Sequence, residues 1–220
     1  ESQMLSETSK ILAREIEQQP LKTYENIIEG NALTLDWNEV CPASQLSYII
    51  GNPPFVGKKE QTREQKAELV ALFDKKAKGI GNIDYVSGWY KKALTLMEGT
   101  NCQAAFVSTN SITQGEQVPI LWRELYKAGI NINFAYRTFR WDSEATLKAH
   151  VHCVIIGFSF WDRKTYYLFG QDIVKKVDNI STYLLPTSNI FIEKRSKPLC
   201  KVPEMMNGNR PTDDGALSLS

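Results

Sequence analysis

The chain alternates short apolar runs with stretches of helical period. Ser6 to Gln18 sets Ile11, Leu12, Glu15 and Ile16 in a helix-like pattern. Tyr24 to Glu29 is a short β-prone run that stops at Gly30-Asn31. Leu46 to Ile50 is a compact apolar run ending at Gly51, the kind that suits a parallel-sheet strand buried on both faces. Thr62-Arg63-Glu64-Gln65 fits a capping box, and Leu69, Val70, Leu72 and Phe73 follow as one helix face. Lys75 to Gly81 is a polar turn, and Asn82 is placed to cap a second helix. That helix buries Ile83, Val86, Trp89, Tyr90, Ala93, Leu94 and Met97.

Ala104 to Ser108 predicts another strand. Pro119 opens a helix through Trp122 and Leu125 that Gly129 closes. Ile130 to Phe139, Val151 to Phe160 and Thr165 to Phe169 then predict three strands in succession. Strand and helix alternate as far as Phe139, which argues an α/β layered sheet. The later strands lack intervening helices, which argues an antiparallel edge. Beyond Lys194 the texture turns to Pro, Asn, Gly and Asp. The expected organisation is therefore a domain over residues 1–194 and, over 195–220, a linker with the start of another domain. Glu1 falls inside a helical pattern and Ala216 to Ser220 reads as the opening of a strand, so both ends read as cut.

Composition narrows the function classes. With 42% hydrophobic and 23% charged residues the chain is neither low-complexity nor disordered. A net charge of +1 gives no bulk basic field, so any nucleic-acid site is a local patch. Cys41, Cys102, Cys153 and Cys200 are far apart, with no CxxC pair, which disfavours a disulfide framework or a zinc cluster and suits reduced thiols in the cytoplasm. No signal peptide or long apolar run points to secretion or a membrane. His150 and His152 stand two apart along a strand and so share a face, and a metal site is not expected there.

The chemistry concentrates at Tyr48-Ile49-Ile50-Gly51-Asn52-Pro53-Pro54-Phe55, an apolar strand that runs into a rigid polar turn. In open α/β sheets ligands bind beyond the carboxyl ends of strands. Pro53 and Pro54 fix φ and leave their carbonyls as held acceptors. Asn52 adds an amide that both donates and accepts, and Phe55 a flat face for stacking. Two acceptors, from the Asn52 side chain and the Pro53 carbonyl, suit an exocyclic aromatic amine, whose lone pair is delocalised and needs a more tetrahedral nitrogen to attack. Catalysis of that kind rests on positioning and electrostatics. A plain strand-ending turn is the bland alternative.

Asn-Pro-Pro-Phe resembles the catalytic motif of amino-group methyltransferases with a Rossmann-like fold. Similar motifs serve DNA adenine, ribosomal RNA and release-factor glutamine methyltransferases, so it identifies amino methylation better than the substrate. Other segments resemble the DNA adenine-N6 methyltransferases of single-chain restriction–modification enzymes. Asn26-Ile27-Ile28-Glu29-Gly30-Asn31-Ala32-Leu33 looks like the segment that contacts the adenine of S-adenosylmethionine, with Asn31 where the family often has Asp. Phe139-Arg140-Trp141, with Ala149, Val151 and Val154 to Phe158, resembles the edge-strand motif beside the target-base pocket. Lys201 to Asn209 and Pro211 to Gly215 resemble the passage from methylase to target-recognition domain.

The resemblance implies the catalytic half of a partial Rossmann-like methyltransferase sheet, with an antiparallel edge and flanking helices. It implies Asn52, Pro53, Pro54 and Phe55 as catalytic residues and Asn31, Ala32, Leu33, Asp84 and Tyr85 on the cofactor side. Asp84 is equally well read as a helix N-terminal charge. Phe139 and Trp141 would flank a flipped adenine in duplex DNA; an aromatic pair near a strand end also serves a core. Lys58 and Lys59, like Lys75, Lys76 and Lys78, are candidates for phosphate contacts or a solvated face. The Gly-rich turn of the cofactor site has no counterpart here: Gly79-Ile80-Gly81 follows a lysine-rich turn rather than a strand and reads as a hinge. The isolated chain is therefore expected to be inactive, and its cut sheet edges to invite self-association. Two other readings stay open, an RNA amino-methyltransferase and a non-catalytic DNA-contacting or assembly module.

Overall fold

The computed structural model describes residues 27–74, 77–141, 151–170, 173–195, 197 and 199–202. The helix expected over Ser6 to Gln18, residues 24–26 of the β-prone run, Lys75 and Lys76, Ala149, His150 and Pro203 onward lie outside the described residues.

Four helices and six strands are described, α1 (Trp37–Val40), β1 (Tyr48–Gly51), α2 (Arg63–Leu72), α3 (Ser87–Met97), β2 (Gln103–Thr109), α4 (Gln117–Lys127), β3 (Asn131–Trp141), β4 (Val151–Ser159), β5 (Tyr166–Phe169) and β6 (Val174–Val177). The strands form one mixed sheet in the order β1-β2-β4-β3-β5-β6. β1 and β2 are parallel, while β4 runs antiparallel between β2 and β3. β5 then joins β3 in parallel and β6 closes antiparallel on β5. The expected α/β sheet with an antiparallel edge is present; the parallel β3–β5 pair and β6 are additions. β6 escapes a hydrophobic pattern because Lys175 and Lys176 fill its middle.

Helix ends follow local chemistry where it is strong. Thr62 and Gln65 make the reciprocal capping box at the start of α2. α4 buries Val118, Leu121, Trp122 and Leu125, then stops at Gly129, whose φ is 98°. There the Ile130 amide donates to the Leu125 carbonyl and the Gly129 amide to Tyr126, a Schellman closure. α4 begins two residues before Pro119, which is tolerated because first-turn amides have no helical partner.

Two expectations need correction. β1 is not buried on both faces: it is an outer strand of the described sheet, and Tyr48 and Ile50 are 65% and 81% exposed. The strand enclosed on both faces is β4. Asn82 caps no helix, because Ile80–Asn82 is a separate 3-10 turn and α3 starts at Ser87. Between them Ile83 to Tyr85 bond to residues 56–61 instead, so tertiary hydrogen bonds displace the helix start. At Gly79-Ile80-Gly81, Ile80 is core, and Gly79, at φ 85°, lies against Ile120.

The core lies between the sheet and α2–α4. Tyr90, fully buried on α3, stacks on Phe158, meets Phe106 and Trp122 edge-on, and bonds Ser108 across 2.8 Å. This cluster fixes α3 and α4 over β2 and β4, and so fixes the loops leaving the sheet.

Candidate functional site

Because β1 and β2 are parallel, the chain leaves both at the same edge of the sheet. Asn52 to Phe55 follow β1, and Asn110 and Ser111 follow β2. The register carries that edge further, pairing Thr109 with Cys153 and Cys153 with Phe139. The sheet thus brings the Asn-Pro-Pro-Phe turn and the Phe139 end of β3 to one edge. Phe139 is half-buried and edge-on to Tyr136, 5.2 Å between centroids. Trp141 pairs with Val151, and its side chain lies outside the described residues.

In the turn, Pro53 is buried, Phe55 half-buried, and Asn52 and Pro54 exposed. Among the described residues, the Asn52 side-chain amide takes no hydrogen bond. An anchored proline thus stands beside an open, exposed amide. Gly51 sits tight beneath it, where a Cβ would come 3.3 Å from the Phe106 ring.

The segment after the turn is tied down at three points. The Tyr85 amide donates to the Val56 carbonyl at 3.0 Å. Gln61 Nε2 donates to the Ile83 carbonyl at 2.9 Å. The Lys58 amide donates to Asp84 Oδ1 at 3.2 Å. Asp84, 5% exposed, also accepts from Gln117 Nε2 at 3.1 Å, from Thr109 Oγ1 at 3.0 Å and from the Ser111 hydroxyl, while its own amide donates to Gln117 Oε1 at 2.9 Å. Both oxygens are thus engaged, and the Thr109 and Ser111 hydroxyls lie 2.8 Å from each other as well.

A second group lies around Glu68 on α2. Asn31 Nδ2 donates to Glu68 Oε1 at 3.0 Å, and the Tyr85 hydroxyl donates to Glu68 Oε2. Asn31 Oδ1 accepts from the Leu33 amide at 2.9 Å, fixing the turn in which Leu33 is buried. Trp37 Nε1 donates to the Ala32 carbonyl at 2.7 Å. Burial, then the Glu68 carboxylate, pushes the Tyr85 phenol up to about 12. Glu68 thus links Asn31 to Tyr85, and Ala32 and Leu33 follow Asn31 in the same turn.

Lys58 does not stand free: its Nζ pairs with Glu116 at 2.6 Å, and that hydrogen bond holds the Glu116 carboxyl below its usual value. Lys59 is exposed. Among the described residues no group of three or more His, Cys, Asp or Glu could hold a metal ion, and no helix is long and apolar enough to cross a membrane.

Glu68, Gln61, Gln117, Thr109 and Ser111 were not singled out in the sequence. Their roles depend on partners far along the chain. Buried Gln61 and Gln117 carry the one available signal, a long polar side chain at a position the fold encloses.

Comparison with known proteins adds the following. Residues 1–170 match the family model described as MmeI, DNA-methyltransferase domain. Over 201 residues the chain is 45% identical to DNA methyltransferase A of Bacillus subtilis (strain 168), covering 90% of this chain and 23% of that protein. The structure of the type IIL restriction-modification enzyme MmeI in complex with DNA aligns with a TM-score of 0.83 at 44% identity, covering 97% of this chain and 29% of that one. The chain therefore spans about a quarter of the length of the relatives it matches.

Proposed function

The chain belongs to the MmeI DNA-methyltransferase domain family, and from that premise we propose that the protein carrying it methylates adenine N6 in a specific duplex DNA sequence, as part of a restriction–modification enzyme. The methyl donor in this reading is S-adenosylmethionine, which when bound supplies an electrophilic methyl group on a sulfonium. The residues present fit one wall of a site for it. Glu68 accepts one hydrogen bond on each oxygen and Asn31 Oδ1 accepts one, so both keep lone pairs for hydroxyl or amine hydrogens. Asn31, Ala32, Leu33 and Tyr85 form that wall with Glu68.

The observation that carries the reading is the open Asn52 amide beside buried Pro53 at the carboxyl edge. Asn52 Oδ1 and the Pro53 carbonyl accept the two hydrogens of the adenine amine and draw its nitrogen toward a tetrahedral shape. The fixed proline φ keeps that acceptor from reorganising as charge develops. Phe55 stacks on the base once it has swung out of the duplex, with Phe139 and Trp141 on its other side. Lys59 meets backbone phosphate, and Lys58 does so when it exchanges Glu116 for phosphate. Residues 1–194 make up the methylase part and residues 195–220 lead out of it.

Asn52→Ala in the full-length protein tests the reading. Tritiated S-adenosylmethionine and unmodified duplex DNA should label adenine N6 with the parent, and the variant should lose about a hundredfold or more in rate, as when one preorganised polar contact is removed. Full labelling by the variant would overturn the assignment of Asn52, and label in ribosomal RNA alone would move the substrate to RNA. Residues 1–220 alone should transfer no methyl, because among the described residues no Gly-rich turn follows a strand.

A further inference from the structure

We propose that Asp84 is a positioning residue for the Asn52–Phe55 turn, acting through the Lys58 amide, and that it does not itself hold the methyl donor. The inference rests on the methyltransferase reading of that turn and assigns a separate part of its machinery. Three consecutive residues, Ile83, Asp84 and Tyr85, bond to Gln61, Lys58 and Val56, which follow the turn directly. Of the three, Asp84 alone meets the loop through its side chain. Its oxygens collect the loop amide of Lys58, the carboxyl-edge hydroxyls of Thr109 and Ser111, and the amide of Gln117 at the head of α4. One carboxylate thereby fixes the loop after β1 relative to the loop after β2 and to α4.

Gln117 makes the arrangement rigid. It donates to Asp84 Oδ1 and accepts from the Asp84 amide, closing a two-bond ring that sets the carboxylate plane. Hydrogen bonds to an ionised acceptor are stronger than neutral ones, and Asp84 is 5% exposed. Both its oxygens are already engaged by groups of this chain rather than turned to open solvent. Loss of the carboxylate would free the Lys58 amide and let the turn drift from the geometry that Asn52 and Pro53 require. A misplacement of about 1 Å in an active site costs about a hundredfold in rate.

The test uses the full-length protein, tritiated S-adenosylmethionine, unmodified duplex DNA, and deuterium exchange of the peptide spanning Asn52 to Gln61. Asp84→Ala and Gln117→Leu should each lower kcat about ten- to a hundredfold, with the donor KM within about threefold, the pattern of a lost transition-state contact. Exchange of the peptide should speed up in both. Asp84→Asn should stay within about threefold of the parent, since its oxygen can serve Lys58 and Gln117 while the two hydroxyls turn to accept. A donor KM raised about tenfold at unchanged kcat in Asp84→Ala would make the residue a cofactor ligand and overturn the proposal. Unchanged exchange, or full activity in Gln117→Leu, would overturn it too. Gln117 touches no proposed ligand, so a folding defect in Asp84→Ala leaves the comparison intact. A parent that labels no DNA would sink the methyltransferase reading instead, and the exchange data would still decide whether Asp84 holds the loop.

Discussion

Across β3 and β4, Gly157 faces Phe134, and the ring lies where a side chain would be: a Cβ on Gly157 would come 2.0 Å from Phe134 Cε1. Gly157→Ala must displace that ring or bend β4, an overpacking expected to cost about 1–3 kcal/mol. A urea melt that shows no loss would mean the ring moves freely. Tyr85 makes a second prediction. Its folded pKa, about 12, is raised above the ordinary 10.0, so the stabilisation is complete below pH 10 and is lost as pH rises through 12. Glu68→Gln should bring the Tyr85 phenolate absorbance to lower pH, but only partway, because burial is the larger cause. Residues of this kind mark the limit of the sequence. Asn52 to Phe55 are legible because their chemistry is contiguous. Glu68, Gln117 and Thr109 act through partners brought by the fold, and nothing in their neighbours along the chain announces it.

Elements were legible where local chemistry acts alone. The capping box of α2 and the glycine stop of α4 both follow from side chains within a few residues. Thr62→Ala should therefore weaken α2 by about 1 kcal/mol, measured as a lower chemical-denaturation midpoint. A wild-type midpoint would mean that the packing of Leu69 alone holds the helix. Where tertiary bonds compete, local signals lose. Asn82 has the chemistry of a cap, yet Ile83 to Tyr85 stay non-helical to bond residues 56–61, and α3 starts later. That displacement serves the site, since it is what lets Asp84 reach the loop beyond Asn52. The apolar run at Leu46 to Ile50 misleads for a related reason: hydrophobicity says that a strand wants cover, not whether neighbouring elements supply it.

The whole sheet has two outer strands, and they differ in how they meet water. β6 carries Lys175 and Lys176, which discourage pairing with another chain. β1 carries no charge: Tyr48 and Ile50 are 65% and 81% exposed, and among the described residues no strand pairs with its outer edge. An uncharged apolar edge is a template for strand addition. Residues 1–220, studied alone, are therefore expected to self-associate through β1, with sedimentation velocity showing a concentration-dependent shift to larger species. Ile50→Lys should return the distribution toward monomer by charging that edge, while Lys175→Ala, which removes charge from β6, should not. If Ile50→Lys associates as the parent does, the contact runs through another surface. If the parent is monomeric at every concentration, the β1 edge is already covered in solution. The same edge supports the turn at Asn52, so association through β1 would place a second chain against the candidate site, and Ile50→Lys would then raise solvent access to Asn52 as well as the monomer fraction.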